Sequence, residues 1–472
     1  MRLIKEIYIR KEMNFVSNTK TKRFEMDMCE GPILKKMLIF ALPLMTSSIL
    51  QLLFNAADVI VVGRFAGDNS LAAVGSTTSL INLLVNMFIG MSVGVNVLVA
   101  RFYGAKREQD LTATIHTAMA ISIAGGVLLT IIGVVGAPII LEWMQTPPEV
   151  LGLAVIYLRT YFAGMTAMMI YNFGAAILRA VGDTKRPLYY LVTAGVINVT
   201  FNLFFVIVFK WGVFGVGLAT TISQIVSATF MMRCLIKEQG AIHLDVKKIR
   251  IDTEKMIQIL KIGLPAGLQG TLFSISNVMV QSSVNSFGAT VVAGNSAASN
   301  IEGFIYASMN SFYQAAISFT SQNYGAKKYE RINRIMFSAV CCSLVIGLTL
   351  GLGAVAAGPT LLMLYTTSSE VVKAGMVRLK IIGTTYALCG IMDTMVGSLR
   401  GMGYSVVPMI FSLLGACATR LVWLATVFQI DRYHTIETVY IIYPISWILT
   451  AIAHIVTYIV ARKKIEKNRH ED

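Results

Sequence analysis

Between Leu53 and Gly63 the sequence reads LFNAADVIVVG, an apolar stretch with one ionisable residue, Asp58. An ionised carboxylate in hydrocarbon costs at least ~2.5 kcal/mol on insertion scales, so it needs water, a partner or a proton. Ser47, Gln51 and Asn55 precede it at spacings of 4, 4 and 3, which places all four on one face of a helix. A carboxylate flanked by amides can exchange its charge for a proton or bind a hard cation through oxygen. The plainer alternative is an acid near the outer interface that snorkels to water, because the apolar run ends five residues later at Gly63.

Other apolar runs carry similar polar faces. Asn198 and Asn202 are four apart; Thr271, Ser274, Asn277, Gln281 and Asn285 form a second stripe, and Asn295, Ser299, Glu302, Tyr306, Asn310 and Tyr313 a third. Such stripes either glue helices together or line a wet cavity; their recurrence in both halves of the chain favours a cavity. Two further acids, Glu302 and Asp393, lie within apolar runs. Each is expected either to bind a second cation or a cationic substrate, or to pair with an intramembrane cation such as Arg378, Lys380 or Arg420. The five His are scattered, no nucleophile–base arrangement stands out, and no phosphate-cradling GxxxxGK[ST] loop is present. The chain is therefore not expected to be an enzyme or to hydrolyse ATP, and no cofactor or structural metal is expected.

The elements that must carry these residues follow from composition. Of 472 residues, 55% are hydrophobic and only 14% charged, with mean hydropathy +0.67. Soluble domains carry about a quarter charged residues. Apolar runs of eighteen or more recur along the chain, too long for the alternating strands of a membrane barrel. Twelve spans are predicted at 37–64, 71–100, 113–141, 149–181, 188–209, 212–236, 256–287, 290–322, 332–364, 370–401, 405–428 and 438–461. The formal charge of +15 does not point to nucleic acid: nine Lys/Arg fall in residues 1–36, six in 233–255 and five in 462–469, all short flanks of apolar runs. The opposite loops hold Arg64, Lys210, Lys373 and Arg432. By the positive-inside rule both termini are expected in the cytoplasm. The six Cys show no metal-ligand spacing, and the basic N-terminal stretch has no apolar core of the kind a cleaved signal needs.

The two halves resemble each other. FYGAKREQD at 102–110 matches NYGAKKYER at 323–331, and LRAVGDTKRP at 178–187 matches LRGMGYSVVP at 399–408, both offset by 221 residues. ALPLMTSSILQLLFN at 41–55 aligns with GLPAGLQGTLFSISN at 263–277. The predicted organisation is a cytoplasmic tail at 1–36, a six-helix lobe at 37–236, a linker at 237–255, a second six-helix lobe at 256–461 and a tail at 462–472. Six is even, so the repeats are parallel, and a substrate site is expected between or within the lobes. Arg159 and Lys380 are repeat-equivalent, which suggests a shared structural role. Twenty-five Met and 10% aromatic residues suit an adaptable site for flat amphipathic cations, beyond their ordinary use in cores and against lipid.

FNAADVIVVGRF after the first span, YGAK after the second and LRAVGDTKRP after the fourth resemble bacterial multidrug and toxic-compound extrusion (MATE) transporters. The resemblance covers about residues 35–460. It implies an all-α polytopic protein of twelve transmembrane helices, two parallel six-helix repeats forming a V-shaped cavity, in the bacterial plasma membrane. It implies a monomeric antiporter that exports cationic or amphipathic drugs or toxic metabolites in exchange for protons or sodium.

The same resemblance places a cation-coupling site in the N-terminal lobe. Asp58 takes the coupling position, with Asn55 beside it. Tyr157, Asn172 and Asn198 match the family's Tyr, Asn and Asn; its remaining Asp falls on Asn202. One carboxylate among neutral oxygens suits a single sodium or a single proton and puts a two-carboxylate relay in doubt. In the C-terminal lobe no acid lies between Met256 and Phe287, so the coupling Glu of another branch is absent, while Asp393 occupies the repeat position of Asn172. Gln51, Asn277, Gln281, Glu302, Tyr306 and Asp393 are the candidates for substrate or a second cation. The rival within the superfamily is a lipid-linked precursor flippase, which would have about fourteen spans and a strongly cationic cavity; acids and amides are expected here. A membrane-embedded enzyme or passive channel is the rival from another class.

Overall fold

A backbone crossing hydrocarbon must satisfy its own N–H and C=O groups, and this chain does so with helices. The computed structural model describes residues 24–471, so the first part of the predicted N-terminal tail lies outside the described residues. Twelve membrane-length helices follow one another: α1 (Ile33–Phe65), α2 (Asp68–Gly104), α3 (Glu108–Trp143), α4 (Pro148–Ala163 continued by Met165–Ala180), α5 (Lys185–Val208), α6 (Gly212–Lys237), α7 (Thr253–Asn285), α8 (Ala289–Gly325), α9 (Tyr329–Ala356), α10 (Ser369–Gly401), α11 (Val406–Gln429) and α12 (Ile436–Glu471). No strand occurs among the described residues. Large apolar side chains such as Val135, Phe337 and Val422 point outward, as a lipid-facing surface requires.

Among the described residues nine helices are long and apolar enough to cross a membrane, or ten with the bent pair of α4. The two left over, α7 and α8, have 33 and 37 residues but too many polar ones. Their polarity has a structural cause: both carry residues that line a cavity at the junction of the lobes.

The helices are less regular than the predicted spans. α4 bends by 44° at Gly164. α10 contains a π turn at Leu379–Gly383, whose repeat-equivalent positions fall directly before that bend. π turns also occur in α5 at Phe204–Val208 and in α11 at Leu413–Ala418. Each of the three adjoins a buried polar residue: Asn202, Arg378 or Arg420. Such wider turns re-aim side chains and concentrate at functional sites. After α9 a short helix, Gly358–Met363, completes the segment predicted as one span.

The lobes meet where α2 packs on α7 and α8 packs on α1 and α2. Gly90-x-x-x-Gly94 on α2 crosses Gly263-x-x-x-Gly267 on α7. A Cβ on Gly90 would lie 2.2 Å from the Gly267 Cα, and one on Gly94 2.3 Å from the Ile259 carbonyl oxygen. Backbones approach this closely only through small residues, the usual device of membrane helix pairs. At the terminus-bearing end the two YGAK motifs cross. A Cβ on Gly104 would lie 2.1 Å from the Gln322 carbonyl oxygen, and one on Gly325 1.9 Å from that of Arg101. The lobes are closed against each other at this end.

Residues 24–32 run across that closed seam. The Met26 N–H donates to the Val181 carbonyl in the first lobe (3.0 Å), and the Met28 N–H donates to the Gln322 side chain in the second (3.2 Å). Asn323 donates back to the Met28 carbonyl at 3.0 Å. The connection between the lobes is anchored too. Asp245 N–H donates to His116 Nε2 and Asp252 N–H to Thr117 Oγ1, both on α3, and Lys255 pairs with Asp110 at 2.7 Å.

Candidate functional site

α1 meets α5 at Gly195, against whose backbone the Phe54 ring packs. One turn further along α1 stands Asp58; one and two turns further along α5 stand Asn198 and Asn202. The helical period puts each set on one face of its own helix, and the α1–α5 contact brings the two faces together. Asn202 Nδ2 donates to the Asp58 carboxylate. Asn198 Nδ2 donates to Thr220 Oγ1 on α6 at 3.3 Å. Both amides are buried, and the carbonyl oxygens of both lack a protein partner. Tyr157 and Tyr161 of α4 lie close enough to Asp58 to feel its charge.

This cluster contains Asp58, Tyr157, Asn198 and Asn202 from the predicted set, and adds Tyr161 and Thr220. Tyr161 was legible in principle, one helical turn from Tyr157. Asn172 donates instead to the Met168 carbonyl of its own helix at 2.9 Å. Asn55 and Gln51 are exposed. Among the described residues no group of three or more His, Cys, Asp or Glu gathers. A cation here would have to be held by one carboxylate and amide oxygens, and the two unpartnered buried carbonyls are donors of that kind.

The second cluster lies in the C-terminal lobe. Arg378 grips Glu302 through two hydrogen bonds, 2.9 and 2.7 Å, and donates to Asn295 at 2.7 Å. Asn295 in turn donates to Gln281 at 2.8 Å, and Tyr440 donates to Asn295 at 3.1 Å. Of the alternatives open for Glu302, the geometry gives pairing with Arg378, and Gln281 belongs to the same network. A bidentate buried pair of this sort holds α8 against α10. Arg159 and Lys380 are both exposed; Arg159 donates to the Val134 carbonyl at 2.9 Å.

A cavity of about 500 Å³ lies in the C-terminal lobe beside this network, walled on one side by Asn86, Ile89, Gly90 and Val93 of α2. Asn277, Tyr306 and Asp393 from the predicted set line it; Gln51, Gln281 and Glu302 do not. Arg400 and Arg420 line it as well, so the expectation of a cavity of acids and amides needs correction. Arg400 stands in the LRGMG motif, and its repeat partner is Arg179. That recurrence was visible in sequence, but the motif reads as a turn signal and hides which way the side chain points.

A fold duplicated within one chain, spanning the bilayer with both halves and enclosing a polar cavity where they meet, defines a multi-pass membrane transporter. The MatE family profile matches residues 43–204 and again 265–424, once in each lobe. The chain belongs to the MatE family. It is 27% identical over 422 residues to the "Probable multidrug resistance protein YoeA" of Bacillus subtilis, covering 88% of this chain and 90% of that one. It is 24% identical over 402 residues to the "Probable multidrug resistance protein NorM" of Thermotoga maritima, with coverages of 83% and 85%. In fold it is similar to a crystal structure described as the "Outward-facing conformation of a multidrug resistance MATE family transporter of the MOP superfamily", with TM-score 0.86, 23% identity and coverage of 94% and 98%.

Proposed function

We propose that the protein is a secondary antiporter that exports amphipathic drugs or toxic metabolites in exchange for protons or sodium, with Asp58 as the coupling group. The observation that carries this reading is the Asp58–Asn202 hydrogen bond inside a membrane lobe, apart from the cavity that would hold substrate. An ionised Asp58 accepts from the Asn202 amide. A neutral one can donate to an amide carbonyl, and the same oxygens suit a sodium ion. Each occupant therefore favours a different arrangement of α1 against α5, which is what coupling requires. The names of the relatives as multidrug resistance proteins support drug export.

The Lys/Arg excess at both ends of the chain and around 233–255 supports cytoplasmic termini in a bacterial plasma membrane. On that orientation the closed seam faces the cytoplasm and the cavity would open outward. Both lobes come from one chain, which supports a working monomer. The test is efflux of a fluorescent amphipath in everted vesicles, energised in turn by a proton and by a sodium gradient. One gradient should drive wild-type accumulation and fail with Asp58→Asn. Wild-type rates from Asp58→Asn at equal protein level would refute the assignment.

A further inference from the structure

Three arginines are buried in the C-terminal lobe near the cavity, and they are not treated alike. Arg378 has its carboxylate in Glu302. Arg400 and Arg420, 4% and 6% exposed, form no ion pair with any carboxylate among the described residues. Neutral groups hold them instead. Arg400 Nη2 donates to Gln269 Oε1 at 2.9 Å and Nη1 to the Tyr313 hydroxyl, while its Nε has no protein partner. Arg420 Nε donates to Ser446 at 3.1 Å and Nη1 to Asn277 at 3.3 Å, with its guanidinium 4.2 Å from the centre of the Tyr443 ring.

Both arginines face the cavity, whose lining holds a single carboxylate, Asp393. Asp393 lies beside Tyr306 and within electrostatic reach of Arg400. Counting formal charges, the wall carries two positive groups against one negative. A buried charge is costly unless something answers it, and neutral anchors that fix a guanidinium without neutralising it leave its charge available. A guanidinium also presents several donors in a fixed plane, which suits a carboxylate or phosphate. Tyr306, Tyr386 and Trp447 add aromatic surface in the same cavity.

We propose that this cavity binds the anionic group of its substrate, a carboxylate or phosphate, on Arg400 and Arg420, so that its substrates are aromatic or lipid-like anions rather than simple cations. The inference rests on the cavity being the substrate site of the exporter proposed above. Asp393, not paired with Arg400 but within reach of its charge, offsets part of the positive field, so its negative charge opposes the substrate anion.

The test is equilibrium binding to the full-length protein in nanodiscs, followed by fluorescence anisotropy without any ion gradient. Two dyes share one ring system: fluorescein, an anion, and an esterified rhodamine, a cation. Fluorescein should bind more tightly to the wild type, a comparison that needs no variant. Arg400→Gln and Arg420→Gln should each weaken fluorescein by about ten-fold or more, the usual scale for a lost charge-assisted hydrogen bond. Arg420→Lys should retain part of the binding, and Asp393→Asn should strengthen it. Competition with a long-chain prenyl phosphate separates the sources: displacement of fluorescein marks a lipid anion as a ligand of the site, and its absence marks soluble amphipaths. Tighter binding of the rhodamine, with fluorescein indifferent to both arginine changes, would overturn the inference. That outcome would leave gradient-driven export standing, and a failure of export would leave the binding result standing.

Discussion

Asn202 donates a hydrogen bond to Asp58 across the α5–α1 contact while its own carbonyl oxygen stays buried without a protein partner. The amide thus offers one group to a carboxylate and another to a proton or cation. Asn202→Ala removes both. It should reach the membrane normally, yet its initial rate of gradient-driven accumulation should fall by about ten-fold, the consequence of a lost hydrogen bond to a charged group. Transport assays in vesicles with matched protein levels check this, and an unchanged rate would remove Asn202 from the coupling site.

The polar faces of this arrangement were legible in the sequence from periodicity, and the resemblance to MATE transporters implied which of them share a site. The spacing of Asp58 on α1 and of Asn198 and Asn202 on α5 puts each on a defined face, and the two halves' matching motifs mark where the lobes repeat. What spacing cannot show is which neighbour a face meets. Asn172, placed at the site by the resemblance, bonds its own helix instead, and Glu302 pairs with Arg378, which directly precedes a π turn in α10. Arg400 was hidden for the same reason: a motif read along the chain says nothing of the cavity on its far side. The crossed glycines of α2 and α7 did leave a signal, two GxxxG patterns in the helices that meet.

The Glu302–Arg378 pair should be a stability element. Glu302→Gln keeps the shape but leaves Arg378 buried without a counter-charge, and removing one partner of such a pair costs about 3–5 kcal/mol. Chemical or thermal unfolding in detergent should show a loss on that scale. Replacing both residues by apolar ones of similar size should recover most of it. A variant as stable as the wild type would show that water reaches the pair and replaces the lost partner.

Closure of the terminus-bearing end depends on Gly104 and Gly325. A side chain at either would meet the opposing backbone at about 2 Å, far inside contact distance. Gly104→Val should force α2 and α8 apart. Lys106 and Lys327 occupy equivalent exposed turns just past these glycines and are suited to paired spin labels. The distance between the labels should lengthen in the variant, with the population shifted away from the closed form. An unchanged distance distribution would mean that the helices can slide rather than separate.

The segment before α1 should act as a latch on the same seam. It bonds Val181 in one lobe and Gln322 and Asn323 in the other, so the lobes cannot part there without breaking it. Lys328 and Arg331 add bonds to the Cys29 and Gly31 carbonyls, at 3.2 and 3.0 Å. Cys29 reports on this contact. It is 9% exposed, and burial, with the Asp27 carboxylate nearby, pushes its thiol up to about 11. At neutral pH it is therefore the protonated thiol, and maleimides react with the thiolate. In a variant whose other cysteines are replaced by serine, Cys29 should label slowly while the seam is closed. Labelling should quicken when transport is energised or when Gly104→Val holds the lobes apart, because release exposes the thiol and returns its acidity toward the ordinary range. The segment would then set how often the seam opens: Asn323→Ala, which removes its bond to the Met28 carbonyl and no bond between the lobes themselves, should raise the labelling rate of the resting protein. Equal labelling in resting, energised and Gly104→Val protein would show that the segment rides with one lobe and bars nothing.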